Sequence, residues 1–63
     1  MGKRYFLSPK GLAEMLNVDV TTVYGWTSTH QIPYTKIGRL VRFRSDEIEK
    51  WLEERRVAVK DFA

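Results

Sequence analysis

Only Asn17 and Val18 separate the end of one helical pattern from the start signal of the next, and this tight junction limits the available folds more than any other feature. The first pattern opens at Ser8-Pro9. A serine hydroxyl accepts from the free N–H groups of a first turn, and proline at the first helical position gives up only an N–H that would be unpaired there anyway. Leu12, Ala13 and Leu16 form its buried stripe, Met15 lies at the margin, and Asn17 can take the left-handed conformation that ends a helix. The second pattern opens on Asp19 as N-cap and ends near Thr27 or Ser28. Leu7 with Leu12, and Val18 with Val23, have the spacing of hydrophobic staples, one where each helix begins. Val23 and Trp26 are expected inward, joined by Ile32 from beyond the helix, which leaves Val20, Thr21, Thr22, Tyr24 and Gly25 facing outward or at its edges. Two short helices joined so closely follow the helix-turn-helix plan. Tight helix pairs also occur in proteins that never meet DNA, so the junction alone does not decide function.

A chain of 63 residues is near the lower size limit for folding without staples, and it has no cysteine to supply a disulfide or a thiolate metal site. Two Trp, three Tyr and three Phe must therefore build a dense core, together with Leu, Ile and Val. One domain over residues 1–63 is expected, with residues 1–6 as a loose arm or short strand and 57–63 as a tail whose role stays open. On the arm, Lys3 and Arg4 are candidate phosphate contacts. No signal peptide and no membrane-length apolar run is visible, which fits a cytoplasmic protein with no membrane partner.

The net charge of +3 says less than its distribution. From Val20 to Ser45 there are four cations, Lys36, Arg39, Arg42 and Arg44, and no acids. From Asp46 to Glu54 there are five acids against Lys50. One side of the molecule should be positive and another negative, the electrostatic footprint of a polyanion binder.

Tyr34 to Arg44 reads as a β-hairpin, with Gly38-Arg39 suiting a two-residue type II′ turn. That register pairs 37 with 40, 36 with 41, 35 with 42 and 34 with 43. Tyr34, Lys36, Val41 and Phe43 then share one face, expected in the core, and Thr35, Ile37, Leu40 and Arg42 share the outer one. Basic residues on an exposed strand also guard against edge-to-edge aggregation, so the pattern has a structural explanation beside the functional one. Ser45 is expected to cap a last helix with Asp46, Glu47 and Glu49 in its first turn and Ile48, Trp51 and Leu52 inward. Its acidic exterior should pack behind the core, away from DNA. His30, the only histidine, reads as a loop residue. With no nucleophile–base pair, metal-ligand cluster or phosphate-cradling glycine loop, neither enzyme activity nor a cofactor is expected.

Taken together, these residues resemble the excisionase-type helix-turn-helix proteins, a compact branch of the winged-helix MerR-like group. The matching stretches are Leu7-Ser8-Pro9-Lys10, Leu12 to Val18, Thr22-Val23-Tyr24-Gly25-Trp26, Ile32-Pro33-Tyr34, Lys36-Ile37-Gly38-Arg39, Val41-Arg42-Phe43-Arg44, and Ile48 with Trp51-Leu52. The resemblance implies a mainly α fold with a β-hairpin, a winged helix-turn-helix. It implies that the second helix enters the major groove of double-stranded DNA, with Val20, Thr21 and Tyr24 toward base edges. It puts Lys36, Arg39 and Arg42 on a wing that contacts the backbone or minor groove. Thr22, Gly25 and Arg44 complete the expected interface. Gly25 departs from the pattern, because the family commonly carries Arg or Lys before the Trp; it either lets the helix backbone approach DNA or is drift at an exposed position.

The function implied is excision of a mobile element, by several copies on adjacent repeats that direct an integrase. A small transcriptional regulator is the rival of the same class. A protein–protein adaptor, using Ile37, Leu40 and the tail, is the rival of another class.

Overall fold

The computed structural model describes residues 4–57, so the tail beyond Val57 lies outside the described residues. The chain order is β1 (Phe6–Leu7), α1 (Pro9–Leu16), α2 (Val20–Ser28), β2 (Thr35–Ile37), β3 (Leu40–Arg44) and α3 (Ser45–Glu54). This is the winged helix-turn-helix arrangement, with one strand more than the hairpin alone.

Both helices of the first pair start and stop where their local chemistry directs. The Ser8 hydroxyl accepts from the Gly11 N–H at 2.9 Å, and the Asp19 carboxylate accepts from the Thr21 N–H at 3.0 Å. Asn17 ends α1 at φ 58°. Its N–H donates to the Glu14 carbonyl at 3.2 Å and the Val18 N–H to the Ala13 carbonyl at 2.9 Å. That pair of bonds is the Schellman stop, which satisfies carbonyls the helix leaves open. α2 ends the same way, with His30 in the left-handed position at φ 57°. Here His30 and Gln31 donate to the carbonyls of Thr27 and Trp26 at 3.1 and 2.8 Å. His30 is thus a loop residue with a specific backbone task.

The hairpin has the expected register: Thr35 pairs with Arg42, Lys36 with Val41 and Ile37 with Leu40. Gly38 has φ 63°, and Arg39 is not among the positive-φ residues, which is the type II′ pattern. β1 adds a third strand, Phe6 opposite Arg44 and Leu7 opposite Phe43, giving the antiparallel order β1-β3-β2.

The core is Leu12, Ala13, Val23, Ile32, Phe43, Ile48 and Trp51. Each fully buried large side chain contributes roughly 1.5–3 kcal/mol of transfer free energy. Phe43 is buried, Tyr34 and Val41 pack against the core, and Ile37 and Leu40 are exposed, as expected, whereas Lys36, on the core side by register, is exposed.

On α2 the inward side differs from expectation. Trp26 is half-buried, and Thr27 takes the fully inward place beside Val23. Thr27 lies four residues after Val23, on the same helical stripe, whereas a three-residue step leaves Trp26 at its flank. The Thr27 hydroxyl donates to the Tyr24 carbonyl at 2.8 Å, which offsets the cost of burying it.

Ser45 is the first residue of α3 rather than its cap; Arg44 holds the cap position and makes no side-chain capping bond. The Ser45 N–H donates to the Tyr5 carbonyl at 2.8 Å and its hydroxyl accepts from the Tyr5 N–H at 3.0 Å. The β1–β3 ladder therefore runs one residue past the strand. Because the Ser45 carbonyl already belongs to the helix, the hydroxyl accepts the bond that a strand carbonyl would have taken.

Candidate nucleic-acid interface

α2 presents two unlike sides. Val23 and Thr27 are buried, whereas Thr21, Thr22, Tyr24, Gly25 and Ser28 are exposed. Val20 is half-buried and packs against the core, so it stands at the edge of the outward face and offers only part of its surface. The Thr21 hydroxyl donates to Asp19 Oδ1 at 3.0 Å, which fixes its direction at the front of the helix. The bonds from Thr21, first the backbone N–H and then the hydroxyl, hold the Asp19 carboxyl below its ordinary value of 3.8. Tyr24 is 52% exposed, with its ring outside the core.

Gly25 also lies in the open. A Cβ built on it would meet nothing within 4 Å, so the fold has room for a side chain there.

The wing cations are not equivalent. Lys36 and Arg39 are exposed, Arg39 at the apex beside Gly38. Arg42 is half-buried and donates through Nη1 to the Val41 carbonyl at 2.8 Å, which lays its stem along the strand. Arg44 Nη2 donates to Asp46 Oδ2 at 3.2 Å, and the same oxygen lies 3.7 Å from Arg4 Nε. Arg44 is therefore partly neutralised at the base of the hairpin. Lys3, the other candidate contact on the arm, lies outside the described residues.

α1 packs against both α2 and β3, and β3 also packs against α3. The outward side of α2 and the wing are thus held by one common support. On α3 the acids Glu49, Glu53 and Glu54 are exposed and Trp51 is buried in the core. Sequence reasoning missed the shallow cleft of about 380 Å³ that Arg4, Tyr5, Phe6, Thr35 and Arg44 line on the sheet. Its only signal in the sequence is Arg4 and Phe6 standing two apart in the segment expected as a loose arm or short strand. Among the described residues no three His, Asp or Glu side chains are grouped to hold a metal. No described helix is long and apolar enough to cross a membrane.

Residues 6–56 match the family model described as a helix-turn-helix domain. The chain belongs to the helix-turn-helix domain family. It is the excisionase-type family that the sequence resembles. Neither the curated proteins nor the solved structures gave a match. For a helix-turn-helix domain the membership suggests DNA as partner, in a family that is typically non-enzymatic.

Proposed function

We propose that this protein binds double-stranded DNA without catalytic activity, placing α2 in the major groove and the hairpin wing on the adjacent backbone or minor groove. One observation carries the reading. α2 keeps a whole polar side, Thr21, Thr22, Tyr24 and Gly25, out of the core, while the same fold projects Lys36 and Arg39 on a ribbon. A helix that needed those residues for stability would have packed them.

In this reading Thr21 and Tyr24 meet base edges, Val20 touches them from its edge position, and Thr22 and Gly25 lie along the groove. Lys36, Arg39 and Arg42 contact phosphate, with Arg44 at the rim. Threonine and tyrosine offer hydroxyl and methyl contacts but no bidentate fork, so phosphate supplies much of the affinity. One copy then binds weakly, and useful occupancy comes from several copies on adjacent repeats. The role that fits is excision of a mobile element, with the bound array directing an integrase. The reading puts the protein in the cytoplasm, on the nucleoid.

Titration against random-sequence duplex at two salt concentrations tests the proposal. Contacts to about three or four phosphates give a log–log slope of roughly −3 to −4. Absence of binding at both concentrations would overturn it in favour of a protein–protein adaptor. An integrase gene beside this one separates excision from transcriptional control.

A further inference from the structure

We infer that the wing tip carries an apolar wedge, Ile37 and Leu40, which inserts at a deformable base step in the minor groove and adds sequence preference to the weak base reading of α2. The inference rests on the duplex-binding reading above and names how that site selects its DNA.

Ile37 and Leu40 are a directly opposed cross-strand pair closing the Gly38-Arg39 turn. They are 50% and 53% exposed, on the side of the ribbon turned away from the core. Two large aliphatic side chains are thus left half-exposed at the end of the hairpin. Their surroundings are cationic. Arg39 sits between them at the apex, Arg42 follows Leu40 on the same face, and Lys36 precedes Ile37. No acid occurs in sequence between Val20 and Ser45. A positively charged ribbon complements the phosphate walls of a minor groove, and aliphatic side chains at its tip can part a base step and kink the duplex.

The outward residues of α2 make such a device useful. Thr21, Thr22, Tyr24 and Gly25 include no Arg, Lys, Asn or Gln, the side chains that read base edges with paired hydrogen bonds. Their hydroxyl and methyl contacts discriminate bases weakly, and deformability adds preference. Pyrimidine–purine steps such as TA and CA unstack most easily, so a wedge favours sites that carry one beneath it.

The test starts with selection from a random duplex pool by the wild-type protein and by the double variant Ile37→Thr/Leu40→Thr. Threonine keeps strand propensity, and circular dichroism checks folding. The wild-type pool should be enriched for TA or CA at a fixed offset, preferred about tenfold over AA at that place. The variant pool should lose that enrichment and keep the rest of the motif. End-to-end fluorescence transfer on the wild-type-selected duplex should show a bend, and 2-aminopurine at the enriched step should brighten on binding.

A straight duplex with a silent 2-aminopurine bound by wild type would overturn the wedge and leave the duplex-binding reading standing. So would equal enrichment in both pools. Failure of the wild type to bind any duplex would remove both. Because the wild-type measurements stand alone, a variant that does not fold leaves the wedge open to refutation.

Discussion

The indole N–H of Trp51 donates to the backbone carbonyl of Gln31 at 2.7 Å, joining α3 to the loop that follows α2. The same loop contains the His30 stop, so this bond holds the end of α2 against the core. Arg55 stacks over the Trp51 ring, 4.3 Å from its centroid, and points Nη2 at the Gln31 carbonyl from 3.5 Å. Replacing Trp51 with Phe keeps most of the apolar area but removes the donor. The expected cost is about 1–3 kcal/mol by urea denaturation. Trp51→Ala should cost about 3–5 kcal/mol, and Trp26→Ala clearly less because that ring is half-buried. The rings lie 5.3 Å apart, so a double-mutant cycle should show coupling of about 0.5–1.5 kcal/mol. An equal or larger loss for Trp26→Ala would contradict the burial ranking.

Ser45→Ala should loosen the N-terminal strand without touching the core. The Tyr5 N–H loses its acceptor at 3.0 Å, and the expected loss of stability is about 1–2 kcal/mol. Amide exchange at Tyr5 should accelerate while that of buried Val23 keeps pace only with global stability. Unchanged exchange at Tyr5 would show that the strand does not depend on this hydroxyl.

Much of the architecture was legible because it is written in short-range chemistry. Ser8, Asp19 and Asn17 mark helix ends through bonds made within a few residues, and Gly38 fixes the hairpin register through its own backbone conformation. What escaped was set by partners distant in sequence. β1 is two residues long, and its ladder with β3 continues through a serine forty positions away from Tyr5. His30 stops α2 in place of the glycine that usually would, so the stop carried no composition signal. For the site, the outward side of α2 followed from periodicity. The neutralisation of Arg44 by Asp46 did not, since it depends on how β3 turns into α3.

Gly25→Arg probes the departure from the family pattern. The position is open, so the larger side chain should stabilise α2 by about 0.5–1 kcal/mol through helix propensity. It also returns a cation to the outward side, which should tighten duplex binding and steepen the salt slope by about 0.9. Gly25→Ala separates the two accounts of the glycine. If it stabilises the fold but weakens DNA binding, the bare backbone is needed for close approach; if binding is unchanged, the position is free to drift.

Asp19 gives the fold a definite acid dependence. Its carboxyl is held below the ordinary 3.8 by the bonds from Thr21, so the ionised cap favours the folded state. That stabilisation is fully present above 3.8 and is lost as pH falls through the lower folded value. Asp19→Asn keeps a capping oxygen but no titration. The difference in stability between wild type and this variant should therefore be constant near neutrality and shift toward the variant below about pH 4. A difference independent of pH would mean that the carboxylate charge does not matter to α2.

The cations of the wing should separate in a binding assay according to their intramolecular partners. Arg39 is exposed at the apex, so Arg39→Ala should weaken binding to all duplexes about equally and reduce the salt slope by roughly 0.9. Arg42→Ala should act in the same direction. Arg44 already has Asp46 at 3.2 Å, and releasing it to a phosphate leaves that carboxylate with Arg4 alone. Arg44→Ala should therefore change the slope by less than half as much as Arg39→Ala, with a stability effect of about 0–1 kcal/mol, as for a half-exposed pair. Asp46→Asn reverses the logic by freeing both arginines at once, and should tighten binding at low salt more than at high salt. If Arg44→Ala proves the most damaging of the three arginine substitutions, the contact surface centres on the base of the hairpin rather than its tip, and the orientation of the wing must be redrawn.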